Sequence, residues 1–173
     1  RVEGLLASMT LGDKVGEMTQ LTLDMFCVGD TPDLEEPHRL DAVKLEAAFG
    51  QGKIGSVLNA AGHAYPTEQW REIVGEIQRT SVEAKGVRTL YGVDAIHGAT
   101  YTSGAALGPQ QIALAATWDT SLVRKMAEAT AQEIHACGIP WNFAPVLDVG
   151  RDPRWPRFWE TFGEDVKLVG DMG

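Results

Sequence analysis

The chain has 173 residues, of which 44% are hydrophobic and 23% charged, and its formal net charge at pH 7 is −9. A chain of this length and composition forms a globular domain with a hydrophobic core, which excludes a disordered protein. The acidic balance argues against a nucleic-acid partner and against an anionic membrane surface, because both require a basic face. No apolar run approaches the roughly eighteen residues that a membrane span requires.

The first fifty residues predict a helical lead-in. A capping-box-like start at Thr10, followed by apolar residues at helical spacing, predicts a helix over residues 11–20. The polar, proline-bearing residues 28–38 predict a loop. Residues 40–49 predict a second helix, which Gly50 ends.

From residue 51 onwards, short apolar runs alternate with amphipathic runs. The apolar runs predict a strand over residues 53–59, a second strand within residues 87–98 that ends near Asp94, and a third over residues 139–149. The amphipathic runs predict a helix capped by Thr67 and ended by Gly86, a helix from about Thr120 to Cys137, and the opening of another in the last ten residues.

Continuously apolar strands that alternate with helices indicate an α/β fold with a parallel sheet covered by helices. Either a doubly wound open sheet or a (β/α)8 barrel has this pattern. A barrel needs about 250 residues. The barrel interpretation therefore makes residues 1–173 a single partial domain, about the N-terminal half of the barrel, with residues 1–50 as the lead-in and residues 51–173 as βα repeats.

Polar residues or glycine lie at the carboxyl end of each predicted strand: Asn59, residues 94–98, and Asp148 with the loop that follows it. In both architectures the chemistry lies at the carboxyl ends of the strands. A carboxylate at the end of an apolar strand is costly unless it is hydrogen-bonded or faces a ligand, which makes Asp94 a candidate ligand contact. Capping of the following turn is the alternative role for Asp94, and His97 is a candidate brace of the same loop.

Residues 151–165 read RDPRWPRFWETFGED and predict a stiff, aromatic and cationic loop after the third strand. Surface ion pairs between its arginines and carboxylates, worth about 0–1 kcal/mol each, are one interpretation. Large rings interleaved with guanidinium groups also suit a site that binds hydroxyls against a flat apolar wall. The two prolines reduce the freedom of the loop and lower the entropy cost of holding that geometry.

No metal or cofactor site is expected. The four histidines lack ligand spacing, and GQGKIG (50–55) ends a helix and opens a strand, which is the reverse of a dinucleotide-binding loop. Cys27 and Cys137 lie far apart without metal-ligand spacing, and Cys137 fits a small buried thiol better than a disulfide partner.

Several segments in a shared order resemble the N-terminal domain of glycoside hydrolase family 3, of the β-glucosidase or exo-β-glucan hydrolase type. They cover nearly the whole chain and are MTLGDKVGEMTQ (9–20), GKIGSVLN (52–59), YGVDAIHG (91–98), LAATWDTSLV (114–123), AEATAQEIHACGI (127–139) and FAPVLDVGRDPRWPRFWETFGED (143–165).

The resemblance implies a (β/α)8-like domain and retaining hydrolysis of β-linked glucosides from the non-reducing end, without metal or organic cofactor. It assigns Asp94 and Arg157 as contacts to the terminal sugar. From the charges of the loop itself, Arg151 and Arg154 are expected to pair with nearby carboxylates. The resemblance places Glu160 behind the site, and His97, Trp155 and Trp159 are expected to shape or brace the pocket. One departure from the family's motif is Pro156, which stands where many members have glycine and fixes the local φ angle.

The residues of the family's catalytic pair are not found in this sequence. The nucleophile's S-D-W-like motif is absent from these residues, and the resemblance assigns the acid/base glutamate to a second domain. The chain is therefore expected to supply no catalytic residue and to be inactive alone. Its implied partners are a β-linked glucoside or oligosaccharide, the remainder of the barrel and the second domain, and a periplasmic or secreted location is implied by the family only.

Other functions stay open from the residues themselves. A β-xylosidase or β-N-acetylglucosaminidase has the same fold and motif context. A non-catalytic doubly wound domain that binds a small anionic ligand would also use three arginines in one loop. A purely structural half-barrel that docks on a partner piece is the third alternative.

Overall fold

The computed structural model describes residues 2–30, 33–34, 38–60 and 62–173. The helices of this part of the chain are α1 (Val2–Ser8), α2 (Leu11–Glu17), α3 (Ala42–Leu45), α4 (Thr67–Lys85), α5 (Gln111–Ala115), α6 (Thr120–Ala136) and α7 (Val166–Met172). Its strands are β1 (Gln20–Thr22), β2 (Gly29–Asp30), β3 (Asp33–Leu34), β4 (Ser56–Leu58), β5 (Leu90–Val93) and β6 (Trp141–Asn142). No helix among the described residues is long and apolar enough to cross a membrane.

The main sheet has the strand order β1-β4-β5-β6, so its strands lie side by side in chain order. Strand β4 pairs in parallel with both β1 and β5, and Val57 lies opposite Leu21 on one side and Tyr91 on the other. Helix α4 connects β4 to β5. Parallel neighbours joined through a helix confirm the α/β fold class that the sequence predicts.

The chain forms two compact units. The first comprises the described parts of Arg1–His63 together with Glu68–Gly92, and the second comprises Ala64–Thr67 together with Val93–Gly173. In the second unit, residues of α5, α6 and α7 pack with the buried ring of Phe162 in one hydrophobic cluster. This cluster supports the loop that precedes α7.

In the first unit, α4 buries the face that the sequence predicts. Trp70, Ile73, Val74 and Ile77 recur at helical spacing and are all buried. The ring of Trp70 packs edge-to-face on Tyr91 of β5, with ring centroids 5.8 Å apart. This contact fixes α4 on the sheet.

The C-terminal end of α4 is held by a buried lysine. The Lys85 side chain is 5% exposed, and its Nζ donates to Glu17 Oε2 and to the Ile54 carbonyl, both at 2.6 Å. Lys53 Nζ donates to the Ala84 carbonyl at 2.9 Å. The two lysines therefore connect the last turn of α4 to α2 and to the segment before β4.

Lys85→Met is expected to lower the free energy of unfolding by about 2 kcal/mol, because the substitution leaves a carboxylate and a buried carbonyl without their cation. Arg79→Met is the matched control, since Arg79 forms exposed pairs with Glu76 and Glu83 on the same helix and should cost about 0–1 kcal/mol. Urea unfolding followed by tryptophan fluorescence measures both. Equal losses for the two variants would contradict this prediction.

The helix predicted over residues 11–20 is wrong at its C-terminal end. Helix α2 ends at Glu17, and Gln20–Thr22 form β1, although the sequence predicts no strand before residue 53. Three residues are too short to show strand alternation, and β1 exists because its backbone pairs with β4, a contact far away in sequence. Thr10 does form the predicted cap, with its hydroxyl accepting from the Asp13 N–H at 3.1 Å.

The third predicted strand, residues 139–149, is also mostly wrong. Only Trp141–Asn142 form a strand, and the N–H of Phe143 donates to the Val93 carbonyl at 3.0 Å. Further along, the Val146 N–H donates to Gln111 Oε1 at 3.0 Å, and Gln111 Nε2 donates to the Val146 carbonyl at 3.1 Å. A side-chain amide therefore takes the place of a neighbouring strand.

The remaining differences concern the segments around residues 28–51 and α5. The predicted loop over 28–38 contains the short antiparallel pair β2–β3, while residues 31–32 and 35–37 lie outside the described residues. The helix predicted over 40–49 is α3, which a π-helical turn extends to Gln51, past the predicted stop at Gly50. Helix α5 is not predicted by the sequence. The two cysteines are buried free thiols, as expected.

Candidate functional site

A cavity of about 350 Å³ lies in the second unit, directly after β5. Four of the residues singled out from the sequence line it: Asp94, His97, Arg157 and Glu160. Four further residues line it that the sequence did not indicate: Ile96, Thr100, Tyr101 and Gln110. The cavity therefore gathers residues from two loops that are far apart in the chain.

Asp94 is the first residue after β5, and the backbone beside it is fixed from β6. The Ala95 N–H donates to Asn142 Oδ1 at 3.0 Å, and Asn142 Nδ2 donates to the Ala95 carbonyl at 3.2 Å. Burial, and then the charge of Asp94, raise the pKa of the Tyr101 phenol. The half-buried Asp94 carboxylate is therefore close enough to a phenolic hydroxyl to influence its ionisation.

His97 closes the loop that follows Asp94. Its Nδ1 donates to the Gly108 carbonyl at 3.1 Å, since a carbonyl can only accept, and its own carbonyl accepts from the Gly108 N–H at 2.7 Å. The neighbouring Gly98 has a φ of +107°, and a Cβ there would lie 2.3 Å from the Ala106 carbonyl oxygen. Glycine is therefore the residue that fits this turn without strain.

Gly98→Ala is expected to lower the free energy of unfolding by about 3 kcal/mol, because strain at positive φ and a clash with backbone act together. Gly104→Ala is the control: its φ is +84°, but a Cβ there meets nothing within 4 Å, so only the strain of about 1 kcal/mol remains. Thermal unfolding of the two variants separates clash from strain. A loss for Gly98→Ala no larger than for Gly104→Ala would disprove the close approach.

The loop over residues 151–165 is closed at its base by the Gly150 N–H, which donates to the Gly163 carbonyl at 2.9 Å. Arg154 forms the predicted pair with a carboxylate, with its Nε donating to Asp152 Oδ1 at 2.9 Å, and its side chain is 89% exposed. Arg151 is exposed and makes no ion pair with a described residue, so the pairing expected for it is not seen. The surface ion-pair interpretation thus holds for Arg154.

Arg157 differs from its two neighbours because it lines the cavity. Its Nε donates to Glu160 Oε2 at 2.9 Å, and the Glu160 side chain is only 15% exposed, so this ion pair orients the guanidinium. The hydrogen bond to Glu160 is the largest cause of a raised Arg157 pKa, to which the charges of Glu160, Asp94 and Asp148 add. A guanidinium has five N–H donors, so Arg157 keeps donors for a ligand beside Asp94.

Comparisons with known proteins identify the same family as the sequence motifs do. Residues 10–173 match the family model described as the glycosyl hydrolase family 3 N-terminal domain. The chain belongs to this family. The family's N-terminal domain is TIM-barrel-like, which decides between the two architectures that the sequence left open.

Relatives in the family are much longer than this chain. Lysosomal beta glucosidase of Dictyostelium discoideum is 34% identical over 184 residues, which is 99% of this chain and 21% of that protein. The crystal structure of an exo-1,3/1,4-beta-glucanase from a Pseudoalteromonas species superposes with a TM-score of 0.78 at 31% identity, over 99% of this chain and 20% of that one. A beta-xylosidase of Formosa agariphila is 38% identical over 96 residues, 53% of this chain and 13% of that protein. The chain spans about a fifth of the length of the first two relatives.

Trp155 and Trp159 are not among the residues that line this cavity. Trp159 is 49% exposed and lies in the 3-10 turn Phe158–Glu160. Residues three apart in such a turn share a side, which brings Arg157 and Glu160 together and directs Trp159 elsewhere. The role of the two tryptophans as a pocket wall stays a prediction.

Tyr101 and Gln110 are cavity residues that sequence reasoning missed. Both lie between β5 and α5, where alanine, glycine and threonine give no helix or strand period. No local signal could have indicated them, because the His97–Gly108 bonds that shape the loop become visible only in the fold. Among the described residues, no group of three or more His, Cys, Asp or Glu side chains could hold a metal ion.

The cavity is suited to a neutral ligand with many hydroxyl groups. Asp94 supplies a carboxylate that accepts hydrogen bonds, and Arg157 supplies N–H groups that donate them. Tyr101 and Gln110 can both donate and accept. Within one small cavity, the carboxylate can therefore accept a hydrogen bond from one hydroxyl while the guanidinium donates a hydrogen bond to the oxygen of a neighbouring hydroxyl.

Proposed function

We propose that this chain supplies part of the substrate site of a retaining β-glucosidase-type hydrolase, which releases the terminal sugar of β-D-glucosides from the non-reducing end. The observation that carries the proposal is that Asp94 and Arg157, which belong to two separate motifs, line one cavity. Family membership supports the reaction class, since the relatives include beta-glucosidases and an exo-glucanase.

In this proposal Asp94 accepts hydrogen bonds from hydroxyls of the terminal sugar, and Arg157 donates to a hydroxyl oxygen beside them. Glu160 orients the guanidinium, and His97 holds the loop after Asp94 in place. Fixing the sugar in one orientation makes the attack at its anomeric carbon effectively intramolecular. Interactions that strengthen as the ring distorts towards the transition state then raise the rate.

The catalytic pair is proposed to come from outside these residues. Retaining hydrolysis needs two carboxyl groups about 5 Å apart, one as nucleophile and one as acid and base. We assign neither role to this chain and place them in the remainder of the barrel and in a second domain. In this proposal residues 1–50 are the lead-in, which also contributes strand β1, and residues 51–173 form βα repeats. The length of the relatives supports this division.

The test is hydrolysis of an aryl β-D-glucoside by the full-length protein that carries this chain, with NMR identification of the first anomer released. We expect turnover with β-anomer formed first, and no turnover by residues 1–173 alone. Release of the α-anomer first, or no turnover of any aryl β-glycoside by the folded full-length protein, would disprove the proposal.

A β-xylosidase is the second candidate, favoured by the 38% identity of 96 residues to a beta-xylosidase. A xyloside lacks the hydroxymethyl group of a glucoside, so the two activities differ in whether the cavity uses that group. Rates on aryl β-glucoside, β-xyloside and N-acetyl-β-glucosaminide, measured side by side with the full-length protein, separate the glucosidase from both alternatives. A higher kcat/KM on the xyloside would replace the first proposal with the second.

A further inference from the structure

We propose that Gln110 is a further substrate-contact residue of the cavity, and that its side-chain amide hydrogen-bonds a hydroxyl of the terminal sugar. The inference rests on the proposed glycosidase function and adds to it a residue that the motifs do not contain. Gln110 lines the cavity together with Asp94 and Arg157.

The first argument is an amide oxygen without a partner. Gln110 Oε1 is buried, and it accepts no hydrogen bond from any described residue. A buried polar atom without a hydrogen bond destabilises the folded chain. In the proposal, a hydroxyl group of a ligand bound in the cavity donates to this oxygen and removes the penalty.

The second argument is that no described residue hydrogen-bonds this amide. Gln110 is the N-cap residue of α5, yet its side chain makes no capping hydrogen bond, and only its backbone carbonyl serves the helix, at 2.9 Å from the Ala113 N–H. The adjacent Gln111 is the opposite case: its amide is buried and forms both hydrogen bonds to Val146. Two consecutive glutamines thus have separate roles, one structural and one open to a ligand.

The third argument is position. The reciprocal His97–Gly108 bonds fix the loop two residues before Gln110, so the backbone that carries the amide is already ordered when a ligand binds. An amide both donates and accepts, as a sugar hydroxyl does. It therefore complements Asp94, which only accepts, and Arg157, which only donates.

Gln110→Met in the full-length protein is the first experiment, since methionine keeps the length of the side chain and removes its hydrogen bonds. We expect kcat/KM for an aryl β-D-glucoside to fall about tenfold. Gln132→Met is the matched control, on the exposed face of α6, and should stay within about twofold of the parent protein. Gln110→Met within twofold of the parent as well would overturn the inference.

Monodeoxy aryl glucosides, each lacking one hydroxyl of the sugar, provide a readout that a structural role would not give. If the amide binds one hydroxyl, the parent and Gln110→Met have the same kcat/KM on the substrate that lacks it, and the tenfold difference persists on the others. If the parent and Gln110→Met have equal kcat/KM on two substrates that lack adjacent hydroxyls, the amide contacts both of those hydroxyls. The same loss on every substrate would overturn the inference, because it would show a distorted cavity instead of a lost contact.

Thermal unfolding completes the test. Gln110→Met should unfold at the same temperature as the parent or higher, since an unpaired buried oxygen has been removed. If this variant does not fold, Gln110→Leu, which also removes both hydrogen-bonding groups of the amide, takes its place in the deoxy series. An inactive parent protein would overturn the proposed function and this inference together, whereas an active parent with unaffected Gln110 variants would overturn the inference alone.

Discussion

Asp94→Asn is expected to lower kcat/KM of the full-length protein for an aryl β-D-glucoside by about 1000-fold. Hydrogen bonds to a charged group are stronger than neutral ones, and we expect the carboxylate to accept from two hydroxyls at once. The amide of asparagine keeps the shape but replaces one acceptor oxygen with a donor. The new N–H group would then face a sugar hydroxyl that also donates, so two donors would oppose each other and no hydrogen bond would form.

Steady-state kinetics measure this prediction, and Asp171→Asn is its control. Asp171 lies on the exposed surface of α7 and pairs with Lys167, so its substitution should change kcat/KM by less than about twofold. Because Ala95 and Asn142 fix the backbone beside Asp94, the folded structure should survive the substitution, which unfolding temperatures can check. A loss below tenfold in a folded variant would contradict the assignment of Asp94 as a sugar contact.

Arg157→Met is expected to lower kcat/KM by about 100-fold, and Arg157→Lys by about tenfold. Methionine removes the charge and all donors, while lysine keeps the charge but lacks the planar fork that Glu160 holds. Because Glu160 raises the Arg157 pKa further, the guanidinium stays charged at every pH at which the protein is folded. Arg157 should therefore contribute nothing to the pH dependence of kcat/KM.

Arg154→Met is the matched control for Arg157, because it removes the same type of side chain from the same loop. Its guanidinium is bound to Asp152 and does not line the cavity, so kcat/KM should stay within about twofold. The same kinetic assay distinguishes the two arginines. Equal losses at both positions would show that the loop, and not the individual guanidinium, is what the substrate requires.

The long amphipathic helices were predictable because their signal is local. The stripe from Trp70 to Ile77 in α4 repeats at helical spacing, and the same holds for α6. Strand β1 was not predictable, since three residues become a strand only by pairing with β4. The extent of β6 was overestimated because an apolar run does not reveal that Gln111 will bind the backbone of Val146.

The residues of the candidate site, too, were predictable from the sequence only in part. The sequence motifs indicated Asp94, His97, Arg157 and Glu160, and the fold brings these four to one cavity. Trp155 and Trp159 were singled out because rings alternate with arginines, and their role as a pocket wall stays a prediction. Gln110 depends on a loop closed by His97 and Gly108, a contact that no local pattern encodes.

The pair between Arg157 and Glu160 also determines which sugars the cavity should reject. Glu160 neutralises the one arginine that lines the cavity, so the charge that remains among its lining residues is that of Asp94. A glucuronide, whose carboxylate would stand beside Asp94, should therefore be repelled, whereas a sugar mimic with a protonated ring nitrogen should be attracted. Acidic sugars and small anions are thus poor ligands for this site, and inhibition that strengthens when the mimic is protonated would show the same balance of charge.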